Sequence, residues 1–161
     1  MRVWTLAFVA WAAACAFPQG NAGEAAAAAP AQSSTTSGTL AANRELFVSA
    51  VGDDYDVTFQ RSCFCPPEAR QPLRLEVRSG EVRSVTPTTP GAGAPPERMT
   101  AVRTVTEVFD LIQDAYDREA AAVRVDYDQT LGYPRELYID YSERIADEEQ
   151  SITLSDLVLA S

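Results

Sequence analysis

The chain has 161 residues, with 23 acidic side chains against 13 basic ones, no histidine and a formal net charge of −10 at pH 7. All the basic residues are arginine, which excludes an imidazole base, Ser-His-Asp and Cys-His pairs, the HExxH zinc motif, a Schiff-base lysine and a P-loop lysine. The acidic balance also lacks the concentrated basic footprint that a phosphate backbone requires, so no nucleic-acid partner is expected.

Met1-Arg2 starts the chain with a positive charge, and residues 3–14 form an apolar run interrupted only by Thr5. This run falls short of the about 20 residues that a membrane-spanning helix needs. It fits the apolar region of a secretory signal peptide, assigned to residues 1–14. The following Ala12-Ala13-Ala14-Cys15 resembles the lipobox of bacterial lipoproteins, with alanine at position 12 where leucine is usual. That resemblance implies an acylated Cys15 that holds the protein on a membrane without a spanning helix. The competing reading is a conventional cut after Ala22, in Gly20-Asn21-Ala22, which yields a secreted protein. Loss of Arg2 with the leader takes the charge from −10 to −11. Residues 15–39 are mostly Ala, Ser, Thr, Gly and Pro and read as a flexible low-complexity tether.

Residues 40–161 are the usual size of one compact domain with a single core. A short helix is expected over 40–51, with Leu40, Phe47 and Val51 near one face and Asn43 as a cap; Gly52-Asp53-Asp54 ends it. Tyr55, Val57 and Phe59 then alternate with Asp56, Thr58 and Gln60, the period of a half-buried strand. Continued alternation puts Arg61, Cys63 and Cys65 on the same face, and Pro66-Pro67 stops the strand. Leu73, Leu75 and Val77 form a second alternating run, and Ser79-Gly80 is a two-residue hairpin turn into a strand over 81–85. The proline- and glycine-rich residues 87–96 read as an exposed loop.

The strongest helix signal is Thr104-Val105-Thr106-Glu107, a capping box. Val105, Val108, Phe109, Ile112 and Tyr116 follow as one apolar stripe, giving a helix over 104–120. Val123, Val125 and Tyr127 alternate next, as do Leu137, Ile139 and Tyr141 after a turn shaped by Tyr133-Pro134. An acidic turn, Asp147-Glu148-Glu149, leads to Ile152 and Leu154 in a last strand. Strands with one apolar face and short connections imply an antiparallel sheet covered on one side. The expected fold is therefore α+β and two-layer. About five to six antiparallel strands carry one main helix on one face, plus a short N-terminal helix.

Two side-chain groups attract a chemical reading. Cys63 and Cys65 are the cysteines left once Cys15 is lipidated, and an exported chain meets an oxidising compartment. Extended residues two apart sit roughly 6.5 Å apart at Cα, near the upper edge of disulfide geometry, so a bond requires a bend near Pro66. A local staple and a redox-active pair, with Arg61 lowering a thiol pKa, are both open. Two thiolates alone fall short of a tetrahedral zinc site. Asp126, Asp128, Glu136 and Asp140 are placed on the outward face of one hairpin, where Asp126, Asp128 and Asp140 are weak Ca²⁺ candidates. The EF-hand template fails there: its third ligand position is Thr130, its glycine arrives one place late at Gly132, and its twelfth position is Leu137. A cross-strand partnership of these carboxylates with Arg124 is the simpler account.

Residues 43–158 resemble a bacterial family of exported proteins and lipoproteins known as a domain of unknown function. The resemblance rests first on Tyr55-x-x-x-Phe59-Gln60-Arg61-Ser62-Cys63-Phe64-Cys65-Pro66 and on Val105-x-x-x-Phe109-x-x-Ile112. It continues through Val125-Asp126-Tyr127-Asp128-x-x-x-Gly132-Tyr133-Pro134, Ile139-Asp140 and Asp147-Glu148-Glu149. Family members often carry a tryptophan in the first helix, where this chain has Leu46-Phe47. The resemblance implies a fold and a location, and no catalytic residue.

The expected protein is a non-catalytic envelope protein anchored by lipid, without a cofactor, which binds an unknown protein or small ligand. Thiol–disulfide chemistry at Cys63 and Cys65 is one alternative, and divalent-cation binding by the carboxylate hairpin is the other.

Overall fold

A computed structural model describes residues 30–93, 102–142, 144 and 149–160. The leader, Cys15, most of the tether, the end of the proline-rich loop and Asp147-Glu148 lie outside the described residues. Helix α1 spans Pro30–Ala50, and strand β1 spans Tyr55–Ser62. The hairpin β2 (Leu73–Arg78) and β3 (Glu81–Pro87) follows. Helix α2 is Val105–Asp117. Strands β4 (Ala122–Tyr127), β5 (Pro134–Asp140) and β6 (Gln150–Leu159) complete the order.

The fold is α+β, with two helices and a six-stranded sheet in which every neighbouring pair is antiparallel. The spatial order β3-β2-β1-β6-β5-β4 places the first and last strands side by side at the centre. β1 to β3 step outward to one edge, α2 lies between the two edge strands in sequence, and β4 to β6 step back to the middle. Charged residues on both edges, Glu81 and Arg83 on β3 and Arg124 and Asp126 on β4, oppose pairing with another chain.

α1 begins ten residues before the expected start, inside the segment read as tether. Ser, Thr and Gly at 33–38 are poor helix formers, which hid it. Pro30 at the first helical position is compatible with a start, and extending a helix from a packed end needs no new nucleation. Asn43 is accordingly an interior residue, not a cap, and its Nδ2 donates to the Thr39 carbonyl at 2.8 Å. The two expected helices are both present, but the N-terminal one is not short: α1 has 21 residues against 13 in α2.

Alternation accounts for the core. Tyr55, Val57 and Phe59, Leu73, Leu75 and Val77, Leu137 and Ile139, and Ile152 and Leu154 are all buried. They form one cluster with Leu40 and Phe47 of α1 and with Val105, Val108, Phe109, Ile112 and Ala115 of α2. Aromatic rings link the elements: Phe47 meets Tyr55 edge-on at 5.5 Å and Phe109 at 6.0 Å, and Phe109 stacks on Tyr127 at 6.3 Å. Such pairs contribute about 0.5–1.5 kcal/mol each beyond their burial.

The turns obey local chemistry. Ser79 and Gly80 both have left-handed backbone, φ 54° and 74°, as a type I′ hairpin demands. Thr104 caps α2: its hydroxyl accepts from the Glu107 amide while Glu107 accepts from the Thr104 amide. The Tyr55 hydroxyl accepts from the Val105 amide at 2.9 Å, satisfying a further orphan donor of that helix. Burial pushes the Tyr55 hydroxyl up to about 12, against the opposing pull of this hydrogen bond.

Candidate functional site

β1 ends at Ser62, which pairs with Ser151 of β6. Cys63, Phe64 and Cys65 therefore leave the ladder three residues before the expected stop, which corrects their placement on the core face of the strand. The bend lies within the motif and not at Pro66. The Cys65 amide donates to the Cys63 carbonyl at 2.8 Å, a three-residue turn. This turn draws the two Cα atoms to 5.3 Å and brings the sulfurs to a disulfide distance of 1.99 Å.

Pro67–Ala69 form a single 3-10 turn after the motif. Gln60 of β1 ties that turn to the sheet by donating to the Arg70 carbonyl at 3.1 Å. A concavity of about 340 Å³ results, lined by Cys63, Phe64, Cys65, Pro66 and Arg70. Both cysteines are half-buried, whereas Phe64 is 93% exposed, the most exposed large apolar side chain among the described residues. Sequence reasoning named Arg61 as the cation beside the thiols, but the arginine lining this concavity is Arg70. The 3-10 turn brings it back, and Pro66-Pro67 was the available signal for such a reversal.

The carboxylates do not converge. Asp126 and Glu136 are direct cross-strand partners, a like-charge pairing that is mildly destabilising. Asp126 has Arg135 at 4.0 Å. Arg124, the partner expected from sequence, instead lays its guanidinium over the Tyr138 ring at 4.1 Å. Asp128 lies beyond the end of β4, and its Oδ1 accepts from the Thr130 and Leu131 amides at 2.9 and 2.8 Å. It builds the β4–β5 turn and does not join the sheet face. Asp140 likewise accepts from the Ser142 amide at 2.9 Å. Among the described residues, no group of three or more potential ligands is gathered closely enough to hold a metal ion. Two of the three carboxylates named as cation candidates, Asp128 and Asp140, are engaged through Oδ1 by local backbone amides.

The same turn contains Gly132, at φ 75°. A Cβ there would overlap the Asn43 carbonyl oxygen and lie 3.0 Å from both Leu46 Cβ and Phe47 N of α1. Gly132 thus admits α1 to contact with the β4–β5 turn. The Tyr133–Pro134 bond is trans, and Pro134 opens β5, a strand position that tolerates its missing amide.

Alternate strand residues away from the cluster are polar. Arg124, Asp126, Glu136, Tyr138, Ser151 and Thr153 help line a shallow concavity of about 490 Å³ across β4, β5 and β6. Elsewhere Arg78 bonds Asp56 at 2.8 Å, and Arg74 bonds the Asp156 carbonyl at 2.7 Å. Among the described residues, no buried side-chain polar atom lacks a hydrogen-bond partner.

An α+β domain of one antiparallel sheet and two helices, with a disulfide-closed turn outside its core, is the class of protein that these features define. Residues 39–159 match the model of the family described as "Family of unknown function (DUF6174)", and the chain belongs to that family. No curated protein and no solved structure matches it.

Proposed function

We propose that the protein is an exported, non-catalytic envelope protein whose domain binds a partner protein through the Cys63-Phe64-Cys65 turn. The observation that carries this reading is Phe64, an aromatic side chain 93% exposed on a turn closed by a hydrogen bond and a disulfide. A rigid exposed ring offers apolar contact area with little conformational entropy left to lose on binding. Absence of histidine and lysine from the sequence agrees with binding in place of acid–base or Schiff-base catalysis.

In this reading residues 1–14 direct export, Cys15 carries lipid, and the chain up to the start of α1 is the tether. The outcome is an envelope location. Secretion after a cut near Ala22 is the alternative. α1 and α2 form one layer over the apolar face of the sheet, so the proposed two-layer arrangement leaves the polar face and the disulfide turn to solvent. The acidic charge argues against a nucleic-acid partner.

Two experiments test the reading. Labelled fatty acid should enter the expressed protein and be absent from Cys15→Ser; equal label in both removes the anchor. A detergent-extracted envelope fraction should yield one specific protein retained by the wild-type mature chain and lost with Phe64→Ser. Equal retention by both chains removes the turn as the binding surface.

A further inference from the structure

We infer that the Cys63–Cys65 disulfide is a stoichiometric acceptor of two electrons from dithiols of other proteins, one equivalent per chain. This goes beyond binding at the same turn.

The bond has little structural work. It closes a loop around one residue, and the Cys65 amide already closes that turn by donating to the Cys63 carbonyl. β1 ends before the motif, and neither cysteine belongs to the hydrophobic cluster. Reduction consequently leaves the ladder and core contacts intact. The Cα separation of 5.3 Å keeps the two released thiols close together.

The bond is also reachable. Both cysteines line the open concavity of about 340 Å³ together with Arg70. Thiol–disulfide exchange needs no imidazole or lysine, so the composition that excludes most side-chain catalysis permits this reaction.

The first step is attack by a thiolate of the incoming dithiol on one sulfur of the pair. The Cys63–Cys65 bond breaks, a mixed disulfide forms, and the displaced sulfur leaves as a thiolate that takes a proton from water. The second thiolate of the incoming protein then attacks its own partner sulfur in the mixed disulfide. Its disulfide forms, and the second sulfur of this chain leaves and is protonated. The dithiol loses two electrons and two protons; Cys63 and Cys65 gain both.

The test uses the oxidised mature chain in buffers of graded reduced-to-oxidised glutathione, alkylated and weighed intact, with far-ultraviolet circular dichroism on the same samples. The expected result is a reversible passage to the doubly alkylated form with unchanged circular dichroism. A reduced two-cysteine peptide should be converted to its disulfide, one equivalent per chain. Cys65→Ser should accumulate a glutathione adduct at Cys63. Resistance of the native bond to excess reduced glutathione, or reduction only together with unfolding, overturns the inference and leaves a staple. Glutathione needs no docking at Phe64, so Phe64→Ser should exchange as wild type does. Equal partner retention by Phe64→Ser and the wild type, with exchange intact in both, removes the binding reading alone.

Discussion

Gly132→Ala separates two costs that a single glycine usually conceals. The first is conformational: φ at Gly132 is 75°, and a side chain in left-handed backbone costs about 1–2 kcal/mol. The second is spatial, because the new Cβ would overlap the Asn43 carbonyl and press on Leu46 and the Phe47 amide. These neighbours belong to the α1 backbone and its first side-chain carbon, so no flexible tip can yield. α1 must back away and loosen the packing of Leu40 and Phe47, which are 2% and 1% exposed. Full burial of such side chains is worth about 1.5–3 kcal/mol each. Losing about half of the pair adds roughly 2–3 kcal/mol, for a total of about 3–5 kcal/mol. Gly52→Ala is the matched control, since Gly52 has φ 73° with nothing within 4 Å of its virtual Cβ. It should cost about 1–2 kcal/mol from strain alone. The two tryptophans, Trp4 and Trp11, lie within residues 1–14, outside the family domain at 39–159, so urea unfolding is followed by far-ultraviolet circular dichroism. With slopes of about 1–3 kcal/mol/M, the midpoint of Gly132→Ala should fall about 1 M below that of Gly52→Ala. Equal midpoints would refute the contact between α1 and the β4–β5 turn.

Three further outcomes are expected. Joint replacement of Cys63 and Cys65 by serine releases a three-residue loop, for which chain entropy predicts a loss of about 1.6 kcal/mol. A urea-derived loss well above about 2 kcal/mol would make the disulfide a genuine staple. Tyr55→Phe leaves the buried Val105 amide without its acceptor, a cost of about 1–3 kcal/mol by the same assay. In the wild type the Tyr55 hydroxyl is raised from 10.0 to about 12 by burial, so the folded state keeps a proton that the unfolded chain releases. That contribution is fully present below pH 10 and is lost as pH rises towards 12. Midpoints measured across this window should therefore fall less steeply in Tyr55→Phe. Phe64→Ser, at a position 93% exposed, should change stability by less than about 0.5 kcal/mol; a larger loss means the ring packs on the domain.

Features determined by neighbours in sequence were legible. The capping box of α2 involves Thr104 and Glu107, three residues apart, and the type I′ turn needs only Ser79 and Gly80. Period-2 alternation located five of the strands because one face of each packs into a shared cluster, and the Ser79-Gly80 turn located β3. Features decided by distant contact were hidden. Nothing near Gly132 in sequence announces that α1 touches it, and nothing near Ser33 announces a helix that extends from a packed end. Asp128 is an intermediate case. An aspartate three residues before Leu131 is a recognisable turn acceptor, but its place in an acidic hairpin suggested a ligand instead. Arg70 was missed because the fold-back after Pro66-Pro67 shortens a distance that sequence counting had lengthened.

Packing accounts for most of the residues that mark the family resemblance, and the remainder is informative. Tyr55 both fills the core and caps α2, while Phe59, Val105, Phe109, Ile112 and Ile139 are buried. Gly132 makes room for α1, Pro134 is buried at the start of β5, and Asp128 and Asp140 hold their turns. Gln60 anchors the turn that follows the cysteines. Cys63, Phe64 and Cys65 receive no such account: they lie beyond the ladder, outside the cluster, with the aromatic ring in solvent. A fold gains almost nothing from an exposed ring, and from a cross-link around one residue only about 1.6 kcal/mol. The separation has an energetic consequence. Because the motif carries little of the stability, its chemistry can change between disulfide and dithiol, or its ring can be covered by a partner, while the domain remains folded.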